Sequence, residues 1–176
     1  PMCGSGTILI EGAMKAMNMA PGVNRHFRAE TFPQFPKAIW DEERERARDL
    51  VNTDCSFHAY GSDIDPEVIE IAKENAKRAG VEDRITFEVR DLKDFEKKTD
   101  RGTVICNPPY GERLMEIKEA EAIYRTMGQV FPRERGWRYS IISPSEDFEK
   151  LFGRKADKRR KLYNGMIKCQ YYMYFK

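Results

Sequence analysis

Apolar positions recur along this chain with two different periods, and the switching between them outlines alternating helices and strands. Residues 7–17 (TILIEGAMKAM) carry helical spacing, with Ile8, Leu9, Ala13 and Met17 available for one apolar face. Residues 19–36 break the pattern at Pro21, Gly22, Pro33 and Pro36, yet hold Phe27, Phe32 and Phe35, which need packing partners. Residues 37–51 return to a helix with a highly charged face. Residues 57–62, 84–89, 103–106 and 138–142 read as short strands. Between them, Asp65-Pro66 supplies a helix N-cap and first position, and Gly80 stops that helix. Further helices are expected over residues 117–131 and 145–152. From Lys161 the tail reads as a hairpin around Asn164-Gly165, with residues 166–175 as its long second arm.

Strands alternating with helices predict an α/β fold with a mostly parallel sheet, closed by an antiparallel C-terminal hairpin. Sites in such sheets gather at the carboxyl ends of the strands. The length of 176 residues suits a single domain over residues 1–176. The chain opens directly on a glycine turn that normally follows a strand, so the first strand is expected to be missing and the chain to be a fragment of a longer protein.

Composition narrows the classes further. An apolar fraction of 40% and a charged fraction of 34% are those of a globular protein. No apolar run reaches the length of a membrane span, and no signal peptide is visible. Cys3, Cys55, Cys106 and Cys169 are scattered, and only two histidines are present, which argues against a zinc site and against a disulfide scaffold. Reduced thiols and a cytoplasmic location are the expectation. A formal net charge of only +2 does not announce a nucleic-acid partner, so any such footprint must be local.

Four groups of residues carry candidate chemistry. Cys3-Gly4-Ser5-Gly6-Thr7 is a glycine turn that lets backbone approach a ligand and opens a helix with free N–H groups. By itself it reads equally as a plain tight turn, and it lacks the Gly-Lys-Ser/Thr of a P-loop. Asp63, at the end of a strand, can accept both hydroxyls of a ribose. Ile64 is either an adenine-packing or a core side chain, and Asp65 before Pro66 reads as the N-cap. Asp91 can accept an adenine amino group or serve as an ordinary turn aspartate.

The sharpest group is Asn107-Pro108-Pro109-Tyr110: Asn-Pro alone reads as a common turn, but here the group closes a buried strand. An exocyclic base amine is a poor nucleophile because its lone pair is delocalised into the ring. The Asn107 side-chain carbonyl and the Pro108 main-chain carbonyl can accept its two protons, aim the lone pair and stabilise developing charge. Pro109 stiffens the turn, and Tyr110 can stack on a base drawn out of its helix. The fourth group is basic: Arg154, Lys155, Lys158, Arg159, Arg160 and Lys161 form either a solvated surface or a phosphate-contacting edge.

In this order the motifs resemble the class I S-adenosylmethionine-dependent methyltransferases, with Rossmann-like architecture. The resemblance implies that Cys3, Gly4, Gly6, Thr7, Asp63, Ile64, Asp91 and Asn107 hold S-adenosylmethionine, and that Asn107, Pro108 and Tyr110 serve the reaction. The closer likeness is to the THUMP-domain-containing ribosomal RNA guanine-N2 methyltransferases. It rests on residues 3–13 (CGSGTILIEGA), Ala20-Pro21-Gly22 with Arg25, residues 107–114 (NPPYGERL) and residues 161–165 (KLYNG). It implies guanine N2 of 23S ribosomal RNA as target, an RNA partner, no metal, and an N-terminal RNA-binding domain ahead of Pro1. Adenine N6 in DNA or RNA, a glutamine amide, or a tRNA guanine fits the same motif. A nicotinamide-dependent oxidoreductase leaves Asn107–Tyr110 unexplained and lacks the third glycine, whose place Leu9 takes. A non-catalytic RNA-binding module would rest on the basic run alone.

Overall fold

The computed structural model describes residues 1–111 and 114–175. It contains helices α1 (Thr7–Ala16), α2 (Lys37–Asp49), α3 (Pro66–Ala79), α4 (Leu114–Val130) and α5 (Phe148–Phe152). The strands are β1 (Ala59–Asp63), β2 (Ile85–Val89), β3 (Gly102–Cys106), β4 (Trp137–Ser143), β5 (Lys158–Asn164) and β6 (Ile167–Tyr174). Among the described residues they form two sheets. One is the parallel pair β1–β2, and the other has the order β3-β4-β6-β5. β3 and β4 are parallel, whereas β6 runs antiparallel to both β4 and β5. β5 therefore points the same way as β3 and β4, and ends on the same rim. The expected parallel sheet with an antiparallel hairpin is thus present.

Pro1 to Cys3 links the two sheets at their carboxyl ends. Cys3 N–H donates to the Ser62 carbonyl at the end of β1 (2.9 Å), and the Cys106 thiol at the end of β3 lies 3.7 Å from the Pro1 carbonyl.

Local sequence explains most boundaries. Asp65 caps α3 by accepting from the Glu67 N–H at 2.8 Å, Pro66 takes the first turn, and Gly80 ends the helix at φ 71°. α3 buries Ile69, Ala72 and Ala76, one face at helical spacing. In α1 the buried face agrees with the expected one at Ala13 and Met17, with Leu9 packed beside them, but takes Ile10 in place of Ile8. Ile10, Ala13 and Met17 are covered, whereas Ile8 is 44% exposed. Ile10 is covered because α1 packs against α3 and β1–β2, in a core of Ile10, Ala13, Met17, Ala76, Val81 and Ile85 flanked by Phe57 and Phe87. A second core joins Tyr124, Met127, Phe131, Tyr139, Ile141, Phe148 and Tyr172 beneath β3, β4 and β6.

Two other expectations change. The first arm of the hairpin begins at Lys158 rather than Lys161, so β5 takes in the end of the basic run, and every residue of β5 is exposed. Charge on an edge strand discourages pairing with another chain. In the 19–36 stretch Phe27, Phe32 and Phe35 all stay exposed, and Phe27 stacks on Trp40 with ring centroids 5.9 Å apart.

Candidate active site

The glycine turn is built by steric necessity. Gly6 N–H donates to the Cys3 carbonyl at 3.0 Å, closing a four-residue turn. Gly6 has φ 78°, and a Cβ there would lie 3.0 Å from Phe87 and 3.2 Å from Ala72. Gly4 has φ 53° and open space on its Cβ side, so its backbone is approachable. Among the described residues no side chain caps the start of α1 and no acid lies in its first turn, so its leading N–H groups face the turn. The Thr7 hydroxyl meets Ser5 Oγ at 3.0 Å. Burial and the charge of Asp63 push the Cys3 thiol up to about 11, which leaves it protonated.

Asp63 closes β1 beside this turn. One carboxylate oxygen accepts from the Gly4 N–H at 3.0 Å and the other from the Asp65 N–H at 3.3 Å. A carboxylate offers about four lone-pair sites, so acceptor capacity remains for two ribose hydroxyls. Ile64 is 67% exposed, which removes its core reading and leaves an apolar face beside Asp63. Asp91 sits one strand away. Its backbone neighbour Arg90 donates to the Asp63 carbonyl at 2.8 Å. The Asp91 carboxylate caps a 3₁₀ turn through the Lys93 N–H at 3.0 Å and meets Lys93 Nζ at 3.3 Å. The Lys93 N–H, ahead of its ammonium, holds the Asp91 carboxyl below the usual range.

Asn107-Pro108-Pro109-Tyr110 leaves the end of β3, on the rim that carries Pro1 to Cys3. Pro108 is buried, whereas Asn107 is exposed. The Tyr110 hydroxyl donates to Asn107 Oδ1 at 2.6 Å and accepts from Asn164 Nδ2 at 3.1 Å. Tyr124 reaches the Pro109 carbonyl at 3.4 Å. Burial pushes the Tyr110 phenol up to about 12, so it keeps its proton at neutral pH. Glu112 and Arg113 of the same motif lie outside the described residues.

The sequence groups are thus brought together along one rim: Cys3 to Ser62, Gly4 to Asp63, Asp63 to Arg90, and Cys106 to Pro1. Arg154 leaves the basic group. Its guanidinium lies over the rings of Tyr174, Phe152 and Tyr139 at 4.7, 5.2 and 5.7 Å. Asn164 joins the site without having been singled out for chemistry, because Asn-Gly reads as a turn.

A family model for the RMKL-like methyltransferase domain matches residues 1–173. The chain belongs to this family. A nicotinamide-dependent oxidoreductase is thereby set aside. Curated relatives include "Putative RNA methyltransferase YpsC" of Bacillus subtilis, 44% identical over 99% of this chain and 46% of that protein. The Ribosomal RNA large subunit methyltransferase K/L of Shewanella frigidimarina is 41% identical over 99% of this chain and 25% of that protein. Among solved structures, SMU.472 complexed with SAH superposes with a TM-score of 0.93 at 42% identity, covering 99% of this chain and 46% of that one. A "predicted N6-adenine-specific DNA methylase" from Listeria monocytogenes superposes with a TM-score of 0.92 at 44% identity, covering 99% and 45%. The chain spans half or less of the length of each of these relatives.

Proposed function

We propose that this domain binds S-adenosylmethionine and methylates an exocyclic base amine in RNA, with guanine N2 of large-subunit ribosomal RNA as the target. The carrying observation is the Asn107 carbonyl on the same rim as the Gly4–Asp63 pair. The residues present fit the cofactor. Gly4 leaves open space, Asp63 keeps spare lone pairs, Ile64 offers an exposed apolar face, and α1 has an uncapped start. Asp63 would hold the ribose, Ile64 and Asp91 the adenine, and the turn from Cys3 to Thr7 the amino-acid end.

The bound cofactor supplies an electrophilic methyl group on sulfur. The chain supplies geometry: Asn107 Oδ1 and the Pro108 carbonyl accept the protons of the base amine and aim its lone pair. Methyl transfer would exchange the S–C bond for an N–C bond, leave the electron pair on sulfur, and release the surplus amine proton to solvent. Tyr110 flanks the base. The exposed cations of β5 supply phosphate contacts. The RNA target is supported by the ribosomal RNA relative. The adenine reading is supported by the Listeria neighbour, because the same pair of carbonyls suits adenine N6.

The test is methyl transfer from labelled S-adenosylmethionine to ribosomal RNA by the full-length protein, followed by nucleoside analysis. N2-methylguanosine is expected. N6-methyladenosine would move the target to adenine, and no transfer to either base would overturn the proposal.

A further inference from the structure

Asn164 occupies an unusual place for the asparagine of an Asn-Gly pair. It is not a loop residue. It pairs with Ile167 as the last rung of the β5–β6 ladder, and the two-residue loop is Gly165-Met166. Gly165 provides the positive φ (59°) that a type II′ loop needs at its first position. Asn164 is therefore held by a strand, and its side chain is available. It meets the Tyr110 hydroxyl, 54 positions earlier, at 3.1 Å.

In the observed arrangement the donors and acceptors of this contact run in one direction. A phenol has one proton. Tyr110 gives that proton to Asn107 Oδ1 at 2.6 Å, so its lone pair receives the Asn164 amide N–H. Reversing the Asn164 amide would set two carbonyls against one phenolic proton. Reversing the Asn107 amide would set its NH₂ against a hydroxyl proton. With the Asn164 amide turned NH₂-first toward Tyr110, the chain Asn164 to Tyr110 to Asn107 presents the carbonyl end of Asn107 to the hydroxyl, and only a joint reversal of both amides would keep the same number of hydrogen bonds. A carbonyl oxygen has two lone pairs, so one remains for a substrate amine.

We propose that Asn164 is a positioning residue for methyl transfer, which through the Tyr110 hydroxyl keeps the Asn107 carbonyl, not its NH₂, turned toward the substrate amine. This rests on the reading of Asn107 as the amine acceptor. The hairpin is thereby more than a sheet edge, because it sets an amide orientation across the site. The raised proton affinity of half-buried Tyr110 agrees, since the hydroxyl remains a donor.

The test uses the full-length enzyme with Asn164→Ala, Asn164→Asp, Tyr110→Phe and Tyr110→Phe/Asn164→Asp. Single-turnover rate, cofactor affinity and thermal midpoint are measured for each. Asn164→Ala should slow transfer roughly 3- to 10-fold, the worth of one neutral hydrogen bond. Asn164→Asp is nearly isosteric but presents only acceptors. It draws the Tyr110 proton away, lets the Asn107 amide reverse, and should slow transfer more than Ala does. In the Tyr110→Phe background it should add little. Cofactor affinity should stay unchanged throughout. An Asn164→Asp enzyme as fast as wild type, or losses that simply add in the double variant, would overturn the positioning role alone. A wild-type enzyme that transfers no methyl group would overturn the underlying amine-site reading, and this proposal with it.

Discussion

The main-chain N–H of Gly4 donates to Asp63 Oδ2 at 3.0 Å, across 59 positions of sequence. This bond ties the glycine turn to the end of β1, and so places two halves of the candidate cofactor site in one frame. Asp63→Asn keeps the shape but removes the charge on the acceptor. A hydrogen bond to a charged group is worth roughly 1.5–3 kcal/mol, so cofactor affinity should fall on the order of 10- to 100-fold. Titration calorimetry checks this, and unchanged affinity would remove Asp63 from the site.

The two turn glycines should respond differently to alanine. Gly4→Ala meets only the cost of its left-handed backbone, about 1–2 kcal/mol, because nothing lies within 4 Å of the new Cβ. Gly6→Ala adds crowding against Phe87 and Ala72, typically about 1–3 kcal/mol more. Urea unfolding should rank Gly6→Ala as the less stable, and Phe87→Leu should recover part of that loss.

Asn107→Ala should cost about 10²–10³ in single-turnover rate, the usual loss for one preorganised group stabilising a transition state. Cofactor affinity should fall far less than the rate, because Asn107 is one of several residues assigned to the cofactor and the turn and Asp63 are untouched. Near-normal turnover in a folded, cofactor-binding variant would contradict the amine-orienting role.

The basic residues should separate into two classes. Arg159→Glu and Arg160→Glu on exposed β5 should weaken RNA binding and flatten its salt dependence, by roughly 0.7–0.9 in slope for each phosphate that is no longer neutralised. Arg154→Ala should lower the thermal midpoint with little effect on that slope, because its guanidinium lies over three aromatic rings. Filter binding across a salt series distinguishes them.

Acid should loosen the stretch between α1 and α2. The Arg44 guanidinium first, and then the Phe27 N–H, hold the Glu30 carboxyl down at about 2, against an ordinary value of 4.5. A depressed folded value means that the stabilisation is fully present above about pH 4.5 and disappears as pH falls toward 2. Trp40, stacked on Phe27 and beneath Arg44, should report this change by fluorescence. Glu30→Gln should abolish that step. A step of unchanged size in the variant would assign it elsewhere.

Local chemistry was sufficient for much of the fold. Asp65-Pro66 and Gly80 bound α3 through capping and backbone preferences that need no distant partner. The Asn-Pro-Pro-Tyr group was likewise legible as the end of an apolar strand, and it follows β3 directly. Tertiary packing decided what remained. Ile10 replaced Ile8 in the α1 core because the position of α3 and β2, not the helix period alone, chooses which stripe is covered. Arg154 left the basic surface because three rings from separate elements surround it. Asn164 reads locally as half of a turn. Its place on the last rung of a hairpin, and its bond to a tyrosine from another loop, exist only once β5 ends on the same rim as β3. Such contacts join residues far apart in sequence, and no local preference encodes which of them will meet.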